Sequence, residues 1–270
     1  MPAQRPKPAL RRVKTREFPT FRTIMALMLR EMSSRYGRSP GGYVWAVLEP
    51  VGTILILAIA FSFMLRAPPL GTSFILFYAT GFLPFSLYST VAKTAMNAID
   101  YSRPLLMYPA VTWVDAMAAR FLLNALTGIS VATIVFTGIA FLPNVRLSLD
   151  LPPILMAHLM ALVFALGLGA LNCAISGLFP IWDMVWNILT RPLMLLSGVL
   201  YTFESLPAFA RAILWYNPLI HVVGEMRAGF YPMYNSSYVS PAYVLLLGLG
   251  LMAFGCTLLV RYHRDILNDA

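Results

Sequence analysis

The sequence predicts an all-α integral membrane protein: six transmembrane helices, an N-terminal amphipathic interface helix, and short re-entrant outer helices before the last span. Three observations predict it. Apolar residues fill 59% of 270 positions and charged residues only 11%, against about 45–50% and about 25% in soluble domains, and mean hydropathy is +0.72. Five apolar runs are long enough for a hydrocarbon core of about 30 Å, which takes roughly 20 helical residues. The basic residues gather on one side of those runs. A soluble fold, a disordered chain, a collagen-like repeat and a disulfide scaffold are all excluded.

Residues 1–19 form a basic tail, expected to be cytoplasmic. Half of the 20 basic residues lie in the first 38 positions: Arg5, Lys7, Arg11, Arg12, Lys14, Arg16, Arg22, Arg30, Arg35 and Arg38. The net charge of +9 would suit nucleic acid or an acidic membrane surface. The apolar remainder selects the membrane and leaves no nucleic-acid partner. This start is too long, and reaches its first apolar run too late, for a cleavable signal peptide.

Residues 20–43 carry an amphipathic helix and a linker. Phe21, Met25, Met28, Leu29, Met32 and Tyr36 share one helical face, and Arg22, Thr23, Arg30, Ser33 and Ser34 the other, with Leu27 as the exception. Such a helix lies in the membrane interface, either as a plain anchor or as a contact for a cytoplasmic partner. Pro40-Gly41-Gly42 then turns the chain.

The membrane-spanning body covers 44–261. Its spans are 44–65, 74–92, 121–142, 153–179, a short or broken one over 188–201 that carries Arg191-Pro192, and 242–260. Glu49-Pro50 sits inside the first span, where a carboxylate must face protein, water or the interface and the proline should kink the helix. Between the second and third spans, 97–102 reads as a short helix that stops before Arg103-Pro104. The stretch 201–240 is too aromatic for a simple loop. Short helices at 207–216 and 219–230, split by Asn217-Pro218, are expected to dip into the outer leaflet. That depth is tolerated where the backbone is buried or lines a watery cavity. Its aromatic residues fit an interfacial belt or a rim on which sugar rings stack. Residues 262–270 form a second cytoplasmic tail.

Six crossings put both termini on one side. With the N-terminus inside, the ten early basic residues plus Lys93, Arg103, Arg120, Arg191, Arg261 and Arg264 are cytoplasmic. Only Arg66, Arg146, Arg211 and Arg227 lie outside. The positive-inside rule therefore places both termini in the cytoplasm.

Reactive groups are sparse. The sequence has no phosphate loop, no GxGxxG after a strand, no HExxH and no Cys/His cluster with metal spacing. Cys173 and Cys256 lie in apolar runs as packing residues. His158, His221 and His263 form no local pair. No catalytic residue, metal site or bound cofactor is expected, so the energy for uphill movement has to come from another subunit.

Three stretches carry a family resemblance. The first is Arg35-Tyr36-Gly37-Arg38-Ser39-Pro40-Gly41-Gly42-Tyr43-Val44-Trp45 through Glu49-Pro50. The second is Arg103-Pro104-Leu105-Leu106-Met107-Tyr108-Pro109-Ala110-Val111 with Asp115 and Ala119-Arg120-Phe121. The third is Ser197-Gly198, Glu204-Ser205-Leu206-Pro207, Trp215-Tyr216-Asn217-Pro218-Leu219-Ile220-His221 and Arg227-Ala228-Gly229. Together they resemble permease subunits of ABC transporters that export polysaccharides, closest to the capsule exporters. The resemblance implies a homodimer bound to two copies of a cytoplasmic ATPase, which holds ATP and Mg. It implies a lipid-linked polysaccharide as substrate, and a periplasmic adaptor and outer-membrane channel as further partners, all at the bacterial inner membrane. It implies ATPase coupling through Asn97, Asp100, Tyr101 and Arg103 with Arg30 and Arg35. It also implies a pathway and gate at Trp45, Tyr201, Phe203, Trp215, Tyr216, His221, Glu225, Arg227 and Tyr231. The alternatives are an O-antigen or teichoic-acid-like polymer exporter and a membrane-embedded transferase.

Overall fold

The computed structural model describes residues 19–36, 42–108, 111–143, 145 and 147–268. Among the described residues the chain is helical, with no strand. In order the helices are α1 (Pro19–Tyr36), α2 (Val44–Met64), α3 (Phe74–Met96), α4 (Ala98–Leu106), α5 (Trp113–Ala140), α6 (Leu151–Leu178), α7 (Trp182–Thr190), α8 (Leu193–Leu196), α9 (Ala208–Leu214), α10 (Pro218–Phe230) and α11 (Pro241–Asn268). A single 3-10 turn, Phe203–Ser205, precedes α9.

Among the described residues five helices are long and apolar enough to cross a bilayer: α2, α3 (which runs on into α4), α5, α6 and α11. Their starts follow local chemistry. Ser73 accepts the Leu76 N–H to cap α3. Thr112 and Asp115 form a reciprocal capping box on α5, satisfying two backbone donors that the first turn leaves orphaned. Prolines occupy the first turns of α6 and α10, where their missing N–H removes nothing.

The pillar of the bundle is α3, with Phe77, Tyr78, Val91 and Ala95 fully enclosed. It packs on α2, α5, α6 and α10. Helices α6 and α11 approach almost backbone to backbone. A Cβ on Gly167 would sit 2.1 Å from the Gly248 carbonyl oxygen, and one on Gly255 2.5 Å from the Leu171 nitrogen. Small residues at such a seam let apolar helices gain contact that lipid tails do not offer.

The stretch after α6 climbs along α3. Asp183 of α7 and Met96 of α3 line one cleft, while the backbone of Val199 lies against Gly81. Fifteen residues of α3 separate those levels, about 22 Å at 1.5 Å per residue. The climb is not one helix. Arg191 and Pro192 keep right-handed helical angles between α7 and α8, but Pro192 supplies no N–H, and Gly198 at φ +74° turns the chain. The run 188–201, expected as a short or broken span, is thus two short helices and a turn.

After that turn α9 descends and α10 returns. At the tip, Asn217 Nδ2 donates to the Leu196 carbonyl and its Oδ1 accepts the Leu219 N–H. At the far end of α10, the Asp150 N–H donates to the Gly229 carbonyl. Leu219 packs among Leu87, Met160 and Phe164, whereas Phe230 packs with Leu76 and Phe136.

Two local expectations need correction. The short helix expected to stop before Arg103 runs through Pro104 to Leu106, because Arg103 is held in helical register by carbonyls of α11. On α1, the side turned to α5 carries Ile24, Leu27 and Met28 around Ala119 and Leu123, with Glu31 buried below them. Phe21, Met25 and Leu29 stay exposed. The expected apolar face is divided, and Leu27 belongs to the packed side.

Candidate functional site

Apart from Trp45 and Arg35, the expected functional residues fall into two clusters at opposite ends of α3. The first surrounds α4. Arg120, near the start of α5, is buried and divides its guanidinium among separate elements. Its Nε donates to Glu31 of α1 at 3.2 Å, and Nη1 donates to the Asn97 carbonyl at 2.7 Å. Its plane lies 4.3 Å from the Tyr101 ring centre. Tyr101 also meets Ser34 of α1 by hydrogen bond, and Arg30 approaches the same ring at 5.6 Å. Cations over an aromatic face gain about 0.5–1 kcal/mol each at exposed sites. Arg103 donates to the carbonyls of Ile266 and Leu267 at 3.2 and 3.1 Å, capping the end of α11.

The α4 residues are therefore not equivalent. Asp100 and Tyr101 are exposed, Asn97 is half-buried and Arg103 is turned inward as a tie to α11. Glu31, Ser34 and Arg120 complete this cluster and were not assigned to it from sequence. Arg120 stood out only as an arginine at the edge of an apolar run and within the Ala119-Arg120-Phe121 stretch of the family resemblance. The side chain of Arg35 lies outside the described residues.

The second cluster lies around α9, α10 and 199–240. Arg227 is 1% exposed. Its Nη1 donates to the Tyr201 carbonyl at 2.7 Å and Nη2 to the Val199 carbonyl at 3.2 Å. The guanidinium lies 4.3 Å over the Phe77 ring, and its Nε has no hydrogen-bond partner. Arg227 thus satisfies the irregular backbone that a helix would satisfy itself. The phenols beside it are neutral: burial pushes Tyr231 up to about 12, against the opposing pull of Arg227, and also raises Tyr234.

His221 is fully buried. Its Nδ1 accepts the Ser240 N–H at 3.2 Å, and Nε2 faces the Trp215 carbonyl at 2.8 Å. An acceptor at Nδ1 and a carbonyl at Nε2 fix the neutral tautomer protonated on Nε2. The ring is a staple between α10 and the start of α11. Trp215 donates from Nε1 to the Tyr238 carbonyl and stacks on Tyr243 at 5.4 Å. Phe203 stacks on Tyr238 at 4.2 Å, and the Tyr243 hydroxyl donates to the Tyr216 carbonyl.

Most aromatic faces expected to meet a substrate are therefore turned on one another. Phe203 is buried and Tyr201 partly so, and Tyr231 closes over Gly71. Tyr216 and Phe209 keep open faces, and Glu225 is half-buried. Trp45 stands exposed at the start of α2, apart from this cluster. Tyr238, Tyr243 and Ser240, which complete it, gave no periodic signal. Among the described residues no group of His, Cys, Asp and Glu could hold a metal ion.

The chain is 29% identical over 247 residues to the capsule polysaccharide export inner-membrane protein CtrC of Neisseria meningitidis serogroup B, covering 91% of this chain and 92% of that one. It is 28% identical over 236 residues to the polysialic acid transport protein KpsM of Escherichia coli, with 87% and 92% covered. The capsule polysaccharide export inner-membrane protein BexB of Haemophilus influenzae is 28% identical over 247 residues, again with 91% and 92% covered. A family model described as ABC-2 type transporter matches residues 22–231, which takes in Arg120, Arg227, His221 and four of the five long helices; the chain belongs to the ABC-2 type transporter membrane family.

Proposed function

We propose that the chain is the permease subunit of an ATP-driven exporter of lipid-linked capsular polysaccharide at the bacterial inner membrane. The observation that carries this is the end-to-end similarity to three inner-membrane capsule export proteins, about nine-tenths of each chain being covered. A hydrated sugar chain loses hydrogen bonds to water on entering hydrocarbon, at several kcal/mol per unsatisfied group, so it needs a protein-lined path. One bundle of five long helices encloses little space, and a two-fold pair of permeases lines a wider one. The permease performs no chemistry. ATP and Mg are held by two copies of a separate ATPase, and this chain binds no cofactor.

In this reading 182–201 is the sixth, broken crossing, supported by its climb of about 22 Å along α3. Both termini are then cytoplasmic, in keeping with the basic tail. Helix α1 lies in the interface, its exposed Phe21, Met25 and Leu29 toward lipid. Helix α4 receives the ATPase through Asp100 and Tyr101. Helices α9 and α10 form a re-entrant hairpin from the outer side, with Arg227 and His221 as positioning residues. A periplasmic adaptor and an outer-membrane channel complete the route. Deletion of the chain should abolish surface capsule and leave polymer inside the cell, and the chain should co-purify with an ATPase that carries a phosphate loop. Unchanged surface polymer in the deletion strain contradicts the proposal.

A further inference from the structure

Helix α4 is tied to the bundle at both ends. Arg120 holds its start at the Asn97 carbonyl. Near its other end, Arg103 Nη2 donates to the carbonyls of Ile266 and Leu267 in the last turn of α11. The last four carbonyls of a helix have no partner within it, and positive charge beside them is favourable. That turn of α11 holds no basic residue of its own, so Arg103 supplies the charge from 163 residues away in sequence.

The same turn carries a plug. Ile266 is buried among Ala98 and Ile99 of α4, Met117 of α5, and Cys173 and Ala174 of α6. Its seat is Gly177 of α6, where an added Cβ would lie 2.6 Å from Ile266 Cγ2. Beyond the plug the route is stiff. Helices α6 and α11 meet backbone to backbone along their seam, and interiors packed this closely transmit a displacement instead of absorbing it. Ser176, beside Gly177, donates to Asp183 Oδ1, and Trp182 Nε1 donates to Asn172 Oδ1 at 2.9 Å. Those two bonds pin the start of α7, a helix that buries no residue of its own. A displacement of α4 thus has a continuous set of contacts to follow: Arg103, the last turn of α11, the end of α6 and the start of α7.

We propose that the last turn of α11 is a transmission element, with Arg103 and Ile266 as positioning residues that carry the motion of α4 through α6 to the broken crossing 182–201. The proposal rests on the permease reading and goes beyond it by giving the stroke a second route besides Arg120 and α1. Asp100 and Tyr101 are exposed on α4, while Arg103 turns inward to α11. The residues that receive the displacement and the residue that passes it on are therefore different.

The test measures surface polymer on cells and ATP turnover by the permease–ATPase complex purified from the same cells, and takes their ratio. Arg103→Met keeps an apolar stem and removes the donors, and polymer exported per ATP should fall about tenfold. Arg103→Lys should restore most of the ratio, because both bonds leave one nitrogen and an ammonium can make them. Ile266→Ala should lower the ratio about fivefold, with complex yield and ATP turnover unchanged. Contact alone does not establish coupling, so the double variant Arg103→Met/Ile266→Ala decides. Residues acting in series should together lose about tenfold, not the roughly fiftyfold of independent effects. An unchanged ratio in Arg103→Met, no rescue by lysine, or multiplied losses in the double variant overturns the proposal. So does loss of the assembled complex in both single variants, which would make the tie purely structural. Intact surface polymer in a strain lacking the whole chain would instead overturn the permease reading.

Discussion

Two buried arginines stand at opposite ends of α3 and solve the same problem differently. Arg120 meets a carboxylate from α1, a carbonyl at the α3–α4 junction and a ring of α4. Arg227 meets two carbonyls of one irregular stretch and a ring of α3, with no acid and its Nε without a partner. An ion pair between side chains on separate helices can exchange partners as the helices shift. A guanidinium locked to backbone oxygens cannot move without leaving those oxygens bare. In the proposed function the α4 end passes on a displacement, while the opposite end holds non-helical backbone in shape.

The largest expected effect breaks the second arrangement. Arg227→Met should destabilise the protein by about 3–5 kcal/mol, since the carbonyls of Val199 and Tyr201 lose their donors inside the fold. Lysine should not rescue it, because a single ammonium lacks the planar fork that reaches both. Thermal unfolding in detergent reads both variants, and wild-type stability in Arg227→Met would remove the distinction between the two ends.

Next comes Glu31→Gln, which leaves Arg120 without its anion and should weaken the docking of α1 on α5 by up to about 3 kcal/mol. Amide hydrogen exchange along α1 should rise while that of α6 and α11 stays unchanged. A uniform rise across the bundle would show that the pair holds the whole fold rather than α1.

Tyr101→Ala removes the ring beneath both Arg30 and Arg120 together with the bond to Ser34. It should lower export about tenfold, equivalent to about 1.4 kcal/mol of coupling, while the ATPase still binds and hydrolyses ATP. Tyr101→Phe keeps the ring and should retain most of the export. Surface polymer and ATP turnover measured on the same cells sharpen the comparison, because a loss of both would point to failed assembly instead.

The smallest effect is expected for Trp215→Phe. The stack on Tyr243 survives and only the donation to Tyr238 is lost, about 1 kcal/mol, read as a small drop in unfolding temperature. A loss as large as that of Arg227→Met would mean that the aromatic cluster, not the arginine, holds that end.

The long helices were legible because apolar length is a signal that needs no partner: α2, α3, α5, α6 and α11 lie where the runs lie. The helices flanking Asn217-Pro218 were legible from turn chemistry, with Asn217 as cap and Pro218 in the first turn. What the sequence hid depends on distant partners. Leu27 turns inward because Glu31, one turn on, is drawn to Arg120. Pro104 fails to stop α4 because Arg103 finds carbonyls more than 160 residues away. The aromatic wealth of 201–240 was plain, but not that Trp215, Phe203 and Tyr238 would spend their faces on neighbouring rings.

In the proposed function this chain is a passive conduit driven through α4 by a separate ATPase. It is tested most directly by ATP-dependent uptake of labelled polymer into inside-out proteoliposomes holding this chain with or without that ATPase. Transport is expected only when both are present, and at about a tenth of that rate with Tyr101→Ala despite continued ATP hydrolysis. Transport or ATP hydrolysis by this chain alone would contradict it.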